Sequence, residues 1–143
     1  MSRFLILTVA AGVMAFFPAL ADDHSVTPIT DPLVKKECGA CHMAFQAEFL
    51  PASAWGRIMA NLGSHFGEDA TLKPEVRDSI LAYYNAHAGR GRSSDAESLR
   101  ITEASWWVRK HKGEVKESEW VKAKSKANCV ACHKEADAGV YED

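Results

Sequence analysis

Two copies of one five-residue pattern, Cys38-Gly39-Ala40-Cys41-His42 and Cys129-Val130-Ala131-Cys132-His133, consume all four cysteines of this 143-residue chain. The fold must therefore present two like groupings of two thiols and an imidazole, and no cysteine is left over for a disulfide. On a helix, residues three and four apart share a face, so each pattern places its sulfurs and ring on one side of a short segment. A four-cysteine zinc ribbon wants its pairs about 15–20 residues apart, whereas the whole stretch 42–128 lies between these two. A thioredoxin-like pair wants a βαβ context that the sequence lacks, and two local disulfides would leave both histidines unexplained. C-x-x-C-H attachment of c-type haem accounts for all of it: the thiols bond the two vinyl groups while the adjacent imidazole reaches the iron from the same side. Two covalently attached haem c groups are expected, on Cys38, Cys41, Cys129 and Cys132, with His42 and His133 each giving one axial ligand.

Such attachment takes place outside the cytoplasm, and the first residues agree. Arg3, the uncharged apolar run Phe4 to Phe17 and the small-residue site Ala19-Leu20-Ala21 read as a secretory signal, residues 1–21, cleaved after Ala21. The run is shorter than the about 20 residues of a membrane span, and nothing later is more apolar. The expected location is the periplasm, peripheral to a membrane at most. Residues 22–143 suffice for one ordinary domain or two very small ones. Domains that small bury little apolar surface, and two haem plates would supply much of the missing core. A formal net charge of −2 argues against a nucleic-acid partner. The charge is uneven, however: Arg109, Lys110, Lys112, Lys116, Lys122, Lys124, Lys126 and Lys134 crowd the last third. They form either an ordinary solvated surface or a docking face for an acidic partner.

The periodicity is helical throughout. Asp31-Pro32 predicts an N-cap and first turn, with Val34, Cys38 and Cys41 on one side of the helix that follows. Pro51 and Ser53 open a second helix with Trp55, Ile58, Met59 and Leu62 on its apolar face, ending at Gly63 and leaving His65 and Phe66 in a turn. Pro74 starts a third, with Val76, Ile80, Tyr83 and Tyr84 running toward Gly89. Residues 89–94 have linker composition and separate two small helical haem-binding domains, 22–89 and 90–143. Beyond them Thr102 is a candidate cap for a short helix carrying Ala104, Trp107, Val108 and His111, closed by Gly113. A polar stretch with Trp120 follows, then a last helix after Ser125 that carries Cys129, Cys132 and His133 and ends by Gly139. The fold class is all-α.

The far face of each iron needs a second ligand. Met43 adjoins a proximal histidine and cannot reach the far face of the same haem, and Met59 sits on an apolar helix face where packing is the better account. His65 follows His42 almost as closely as His111 precedes His133, so each haem has one nearby histidine. His65 and His111 are the preferred distal ligands. His87 is their rival, on the stripe Val76, Ile80, Tyr83, and His24 belongs to the solvated start of the mature chain.

The segments Cys38-Gly39-Ala40-Cys41-His42-Met43-Ala44-Phe45, Leu50-Pro51-Ala52-Ser53-Ala54-Trp55 and His65-Phe66-Gly67-Glu68, with Arg100-Ile101-Thr102-Glu103, Val108-Arg109-Lys110-His111 and Asn128 to His133, together resemble the small bacterial periplasmic dihaem cytochromes c, abbreviated DHC. The resemblance implies an N-terminal haem domain related to class I cytochromes c, a small C-terminal haem segment and bis-histidine ligation of both irons. It also implies two redox partners, a high-spin monohaem cytochrome that binds oxygen and a membrane-embedded b-type cytochrome. The expected function is electron carriage by low-potential haems, with no catalytic residue, since no methionine ligand raises the potential. The alternative is a haem enzyme or gas-binding sensor with one open iron, which the supply of histidines disfavours.

Overall fold

A computed structural model describes residues 25–90, Asp95 and residues 97–142. The expected signal segment, His24 and most of the linker lie outside the described residues. Five α-helices follow in order: α1 (Pro32–Cys38), α2 (Ala52–Ala60), α3 (Pro74–His87), α4 (Ser105–His111) and α5 (Glu117–Ala123), joined by short 3-10 turns. Among the described residues there are no strands, only isolated bridges between Ser25 and Val140 and between His65 and Glu68. The all-α expectation holds.

Asp31 caps α1 as its position predicts, its Oδ1 accepting from the backbone N–H groups of Leu33 at 2.8 Å and Val34 at 3.0 Å. The helix stops sooner than expected. Gly39 N–H bonds Lys35 O at 3.0 Å, and a Cβ on Gly39 would stand only 2.2 Å from that oxygen. Glycine is thus required where the chain leaves the helix, and Cys41 and His42 lie in the turn beyond rather than on α1.

Packing of α2 on α3 makes the first part of the core. Trp55 and Tyr84 stack with ring centres 4.1 Å apart. Each then sends its polar end to the segment after the first motif: Trp55 Nε1 donates to Ala47 O at 2.8 Å and Tyr84 Oη to Phe45 O at 3.1 Å. Both aromatic rings are buried with their donors satisfied, and the bonds fix residues 45–49 beside His42.

The second half departs further from expectation. The helix leading to His111 begins at Ser105, not after Thr102; residues Ile101–Glu103 form a 3-10 turn. Its cap comes from afar: Asp95, 5% exposed, accepts the Ser105 N–H on Oδ1 at 2.7 Å. The polar stretch with Trp120, for which no helix was expected, forms α5. The expected last helix is replaced by two 3-10 turns, Cys129–Ala131 and Ala136–Ala138. Of these two turns only Ala136 is buried, so no apolar stripe holds a continuous helix on the core. One helical turn survives where the motif needs it, His133 N–H bonding Cys129 O at 2.8 Å. Gly139, at φ +84°, reverses the chain so that its carbonyl accepts from Val26 N–H at 2.8 Å.

The two haem-binding regions share one core. Ile101, Ala104 and Trp107 belong to the same buried cluster as Ile29, Val34, Trp55 and Ile80. Polar bonds reinforce the junction: Trp106 Nε1 donates to Phe49 O at 3.1 Å, and the fully buried Gln46 donates through Nε2 to Ala136 O at 2.7 Å while accepting from Tyr141 Oη at 2.6 Å.

Candidate haem centres

The structure brings the histidines of the sequence reading together in two pairs. His42 Nδ1 bonds Met43 O at 2.7 Å, which commits that nitrogen as donor and leaves Nε2 with its lone pair. Its ring rests on Phe45 at 4.7 Å. His65 stands at a tight chain reversal, its N–H bonding Glu68 O at 2.8 Å and its carbonyl accepting Glu68 N–H at 3.1 Å. The two residues inside that reversal, Phe66 and Gly67, both have positive φ, +56° and +108°, as two-residue reversals demand. Phe66 is an uncommon residue for that conformation. Its ring is held between His65, at 4.8 Å, and the Arg100 guanidinium, 4.4 Å from the ring centre.

The His42 and His65 ring centres are 6.3 Å apart with planes 23° from parallel. Imidazole–metal bonds are about 2.0 Å, and two in line, with the step from nitrogen to ring centre at each end, separate the centres by about 6 Å. The pair thus has the spacing to hold one metal atom between its rings. A cavity of about 470 Å³ opens there, lined by Cys38, Cys41, His42 and His65 together with the apolar Leu50, Trp55, Ile58, Met59 and Leu62. That volume lies within the about 300–1,000 Å³ of cofactor sites. Burial, helped by the nearby charges of His42 and Arg100, lowers the proton affinity of His65 below the ordinary imidazole value, which favours the neutral ring a metal needs. Burial also raises the Cys38 thiol.

The second pair repeats the spacing with another orientation. His111 closes α4, with Nδ1 bonded to Trp107 O at 2.9 Å and its ring stacked on Trp107 at 4.1 Å. Its ring centre lies 6.2 Å from that of His133, and the planes are perpendicular, at 90°. Tyr141 packs edge-on against His133 at 5.5 Å. Burial pushes the Cys129 thiol up to about 11. Cys129 and Ala127 also line the first cavity, so the two centres adjoin.

The competitors fall elsewhere. His87 Nδ1 bonds Tyr83 O at 2.8 Å, its ring stacks on Tyr83 at 4.4 Å, and it lies off the cavity wall. Met59 is buried in the core. Among the described residues no group of three or more His, Cys, Asp or Glu converges as a metal cluster. Sequence reasoning gave no role to Gln46, Asp95 or Tyr141, whose partners are distant in the chain. Arg100 entered only within a resembling segment, and Phe66 both within another and in the expected turn after Gly63.

The family described as dihaem cytochrome c matches residues 34–141. Among curated protein sequences none matches the chain. Two structures of the dihaem cytochrome c of Rhodobacter sphaeroides are similar to it. One has 47% identity and a TM-score of 0.73, covering 79% of this chain and 98% of that one. The other has 43% identity and a TM-score of 0.74, covering 80% and 99%. The dihaem cytochrome c of Shewanella baltica matches at 36% identity with a TM-score of 0.68, over 78% of this chain and 86% of that one. This chain belongs to the dihaem cytochrome c family, and so carries two covalently attached haem c groups and serves electron transfer.

Proposed function

We propose that the protein is a periplasmic one-electron carrier in which both irons are closed by histidine pairs, His42 with His65 and His133 with His111. Each haem supplies, when bound, a reversible Fe(III)/Fe(II) couple. Cys38 and Cys41 anchor the first haem, and Cys129 and Cys132 the second. The observation that carries this reading is the near-identity of the two ring separations, 6.3 and 6.2 Å, each suited to one intervening metal atom. His42 and His111 are oriented by carbonyls accepting from Nδ1, which leaves Nε2 of each for the iron. Two neutral nitrogen ligands without a methionine place both potentials at the low end of the cytochrome range. The partners implied by the family resemblance, an oxygen-binding high-spin monohaem cytochrome and a membrane b-type cytochrome, belong to the same proposal.

Carbon monoxide tests it. The reduced, unmutated protein is expected to show two low-spin haems whose optical spectrum is unmoved by carbon monoxide. Stoichiometric binding at one haem would instead identify an open iron and make a haem enzyme or gas sensor the better account.

A further inference from the structure

The two centres differ in charge. Glu37, Glu68 and Asp69 line the cavity of the first against one cation, Arg100, with Glu37 paired to Lys36 at 2.8 Å. Lysines frame the second. Lys110 and Lys112, both exposed, flank His111 in sequence. Lys126 places its ammonium 5.7 Å from the centre of the Trp120 ring, which itself touches His111 and Trp107. Lys134 follows His133 and donates to Ala131 O at 3.0 Å. Among the described residues, Lys122 is the one cation of the Arg109–Lys134 group within ion-pair distance of a carboxylate, Glu119 at 2.9 Å. The other cations of that group stand beyond ion-pair distance of a carboxylate, although Glu114, Glu117, Glu135 and Asp137 share this third of the chain and the whole chain is net negative. Exposed Val121 and Val130 lie among these cations, so apolar surface for close approach accompanies the charge.

We infer that the lysine-framed edge of the second centre is the docking surface for an acidic one-electron carrier protein, and that the acid-lined mouth of the first centre is not. The inference rests on the electron-carrier reading and adds to it the site of entry and the charge of the partner. A partner steered by charge must also come close to a haem, and here the cations stand beside His111 and His133, the residues that would hold the second one. An anionic membrane is the less suited occupant: α5 is seven residues long and exposes Val121 as its large apolar residue, too little for an interfacial helix.

The test uses the oxidised dihaem protein and a reduced plant-type ferredoxin, a small acidic donor, mixed by stopped flow across a range of ionic strength. Two double variants carry the same change in net charge at different places: Lys110→Glu with Lys126→Glu at the second centre, and Lys35→Glu with Lys73→Glu on exposed positions of the first half. The bimolecular rate of the unmutated protein is expected to fall steeply with salt. At low salt the first variant should lose about tenfold or more, and the second far less. Equal losses in both would mean that net charge alone acts, and no loss in either would mean that docking lies elsewhere; each result overturns the inference. So would binding of the unmutated protein to phosphatidylglycerol vesicles that the first variant abolishes while the ferredoxin rate stays unchanged, since the face would then serve a membrane. The methyl viologen radical cation, a donor with no use for lysines, should reduce both haems in all three proteins. Failure there would count against the carrier reading itself, separately from the docking site.

Discussion

The imidazole planes of His42 and His65 lie within 23° of parallel at a ring separation of 6.3 Å. Those of His111 and His133 are perpendicular at 6.2 Å. With iron between the rings, each plane selects the d orbital that its π electrons meet. Parallel planes act on one orbital and split it from its partner; perpendicular planes act on one each and leave the two close in energy. Low-temperature electron paramagnetic resonance of the oxidised protein should therefore show two unequal low-spin signals, a rhombic one with three resolved g values from the first haem and a strongly anisotropic one dominated by a single large g value from the second. Two superimposed rhombic signals would refute the perpendicular arrangement.

Replacing one distal histidine should open one iron. His65→Ala is expected to convert the first haem to a high-spin form that binds carbon monoxide when reduced, and to erase the rhombic signal alone. His111→Ala should do the same to the second haem and erase the anisotropic one. His87→Ala should leave both signals in place, because His87 is occupied with Tyr83 and stands off the cavity wall. An iron opened by the His87 change and not by the His65 change would reverse the assignment at the first centre.

Gln46 and Tyr141 couple the halves through a buried polar bond of 2.6 Å. Tyr141→Phe keeps the ring against His133 and Phe49 but leaves Gln46 Oε1 buried without that donor, which costs about 1–3 kcal/mol. Denaturant unfolding of the oxidised protein should show that loss, while the spectrum of the second haem stays low-spin. Tyr141→Ala, which removes the ring as well, should cost about 3–5 kcal/mol and broaden the signal of the second haem. If the phenylalanine variant is as stable as the parent, the bond contributes nothing and the ring alone holds the junction.

What was readable in the sequence was local. The two C-x-x-C-H runs carry their geometry within five residues, and Asp31-Pro32 and Pro74 mark helix starts by chemistry confined to one turn. The proposal of His65 and His111 as distal ligands rests on elimination among few candidates. The failures share a cause. Helix α5 has a polar surface with Ala123 alone buried, so no apolar stripe announces it. The region after Ser125 kept the spacing of a helix but not the apolar face that would hold one, and it broke into 3-10 turns. Gln46 meets Tyr141 across 95 positions, a pairing that no periodicity encodes.

The cap of α4 follows the same logic and leads to the last prediction. Thr102 stands where a local cap should be, yet the Ser105 N–H is satisfied by Asp95, ten positions upstream. Asp95 is almost fully buried, so its carboxylate has lost most of its hydration and depends on that bond. The helix it caps has only seven residues and ends in His111, too short to persist without tertiary support. Asp95→Ala should therefore cost about 0.5–2 kcal/mol, the range for a lost capping side chain, and the loss should be felt at the second centre rather than the first. Heating the variant should raise the high-spin fraction of the second haem at temperatures where the first stays low-spin and the parent shows no change. Asp95→Asn, which keeps an acceptor oxygen in place, should recover most of the stability and the spectrum. If both haems of the alanine variant loosen together, Asp95 supports the common core and not the helix that delivers His111.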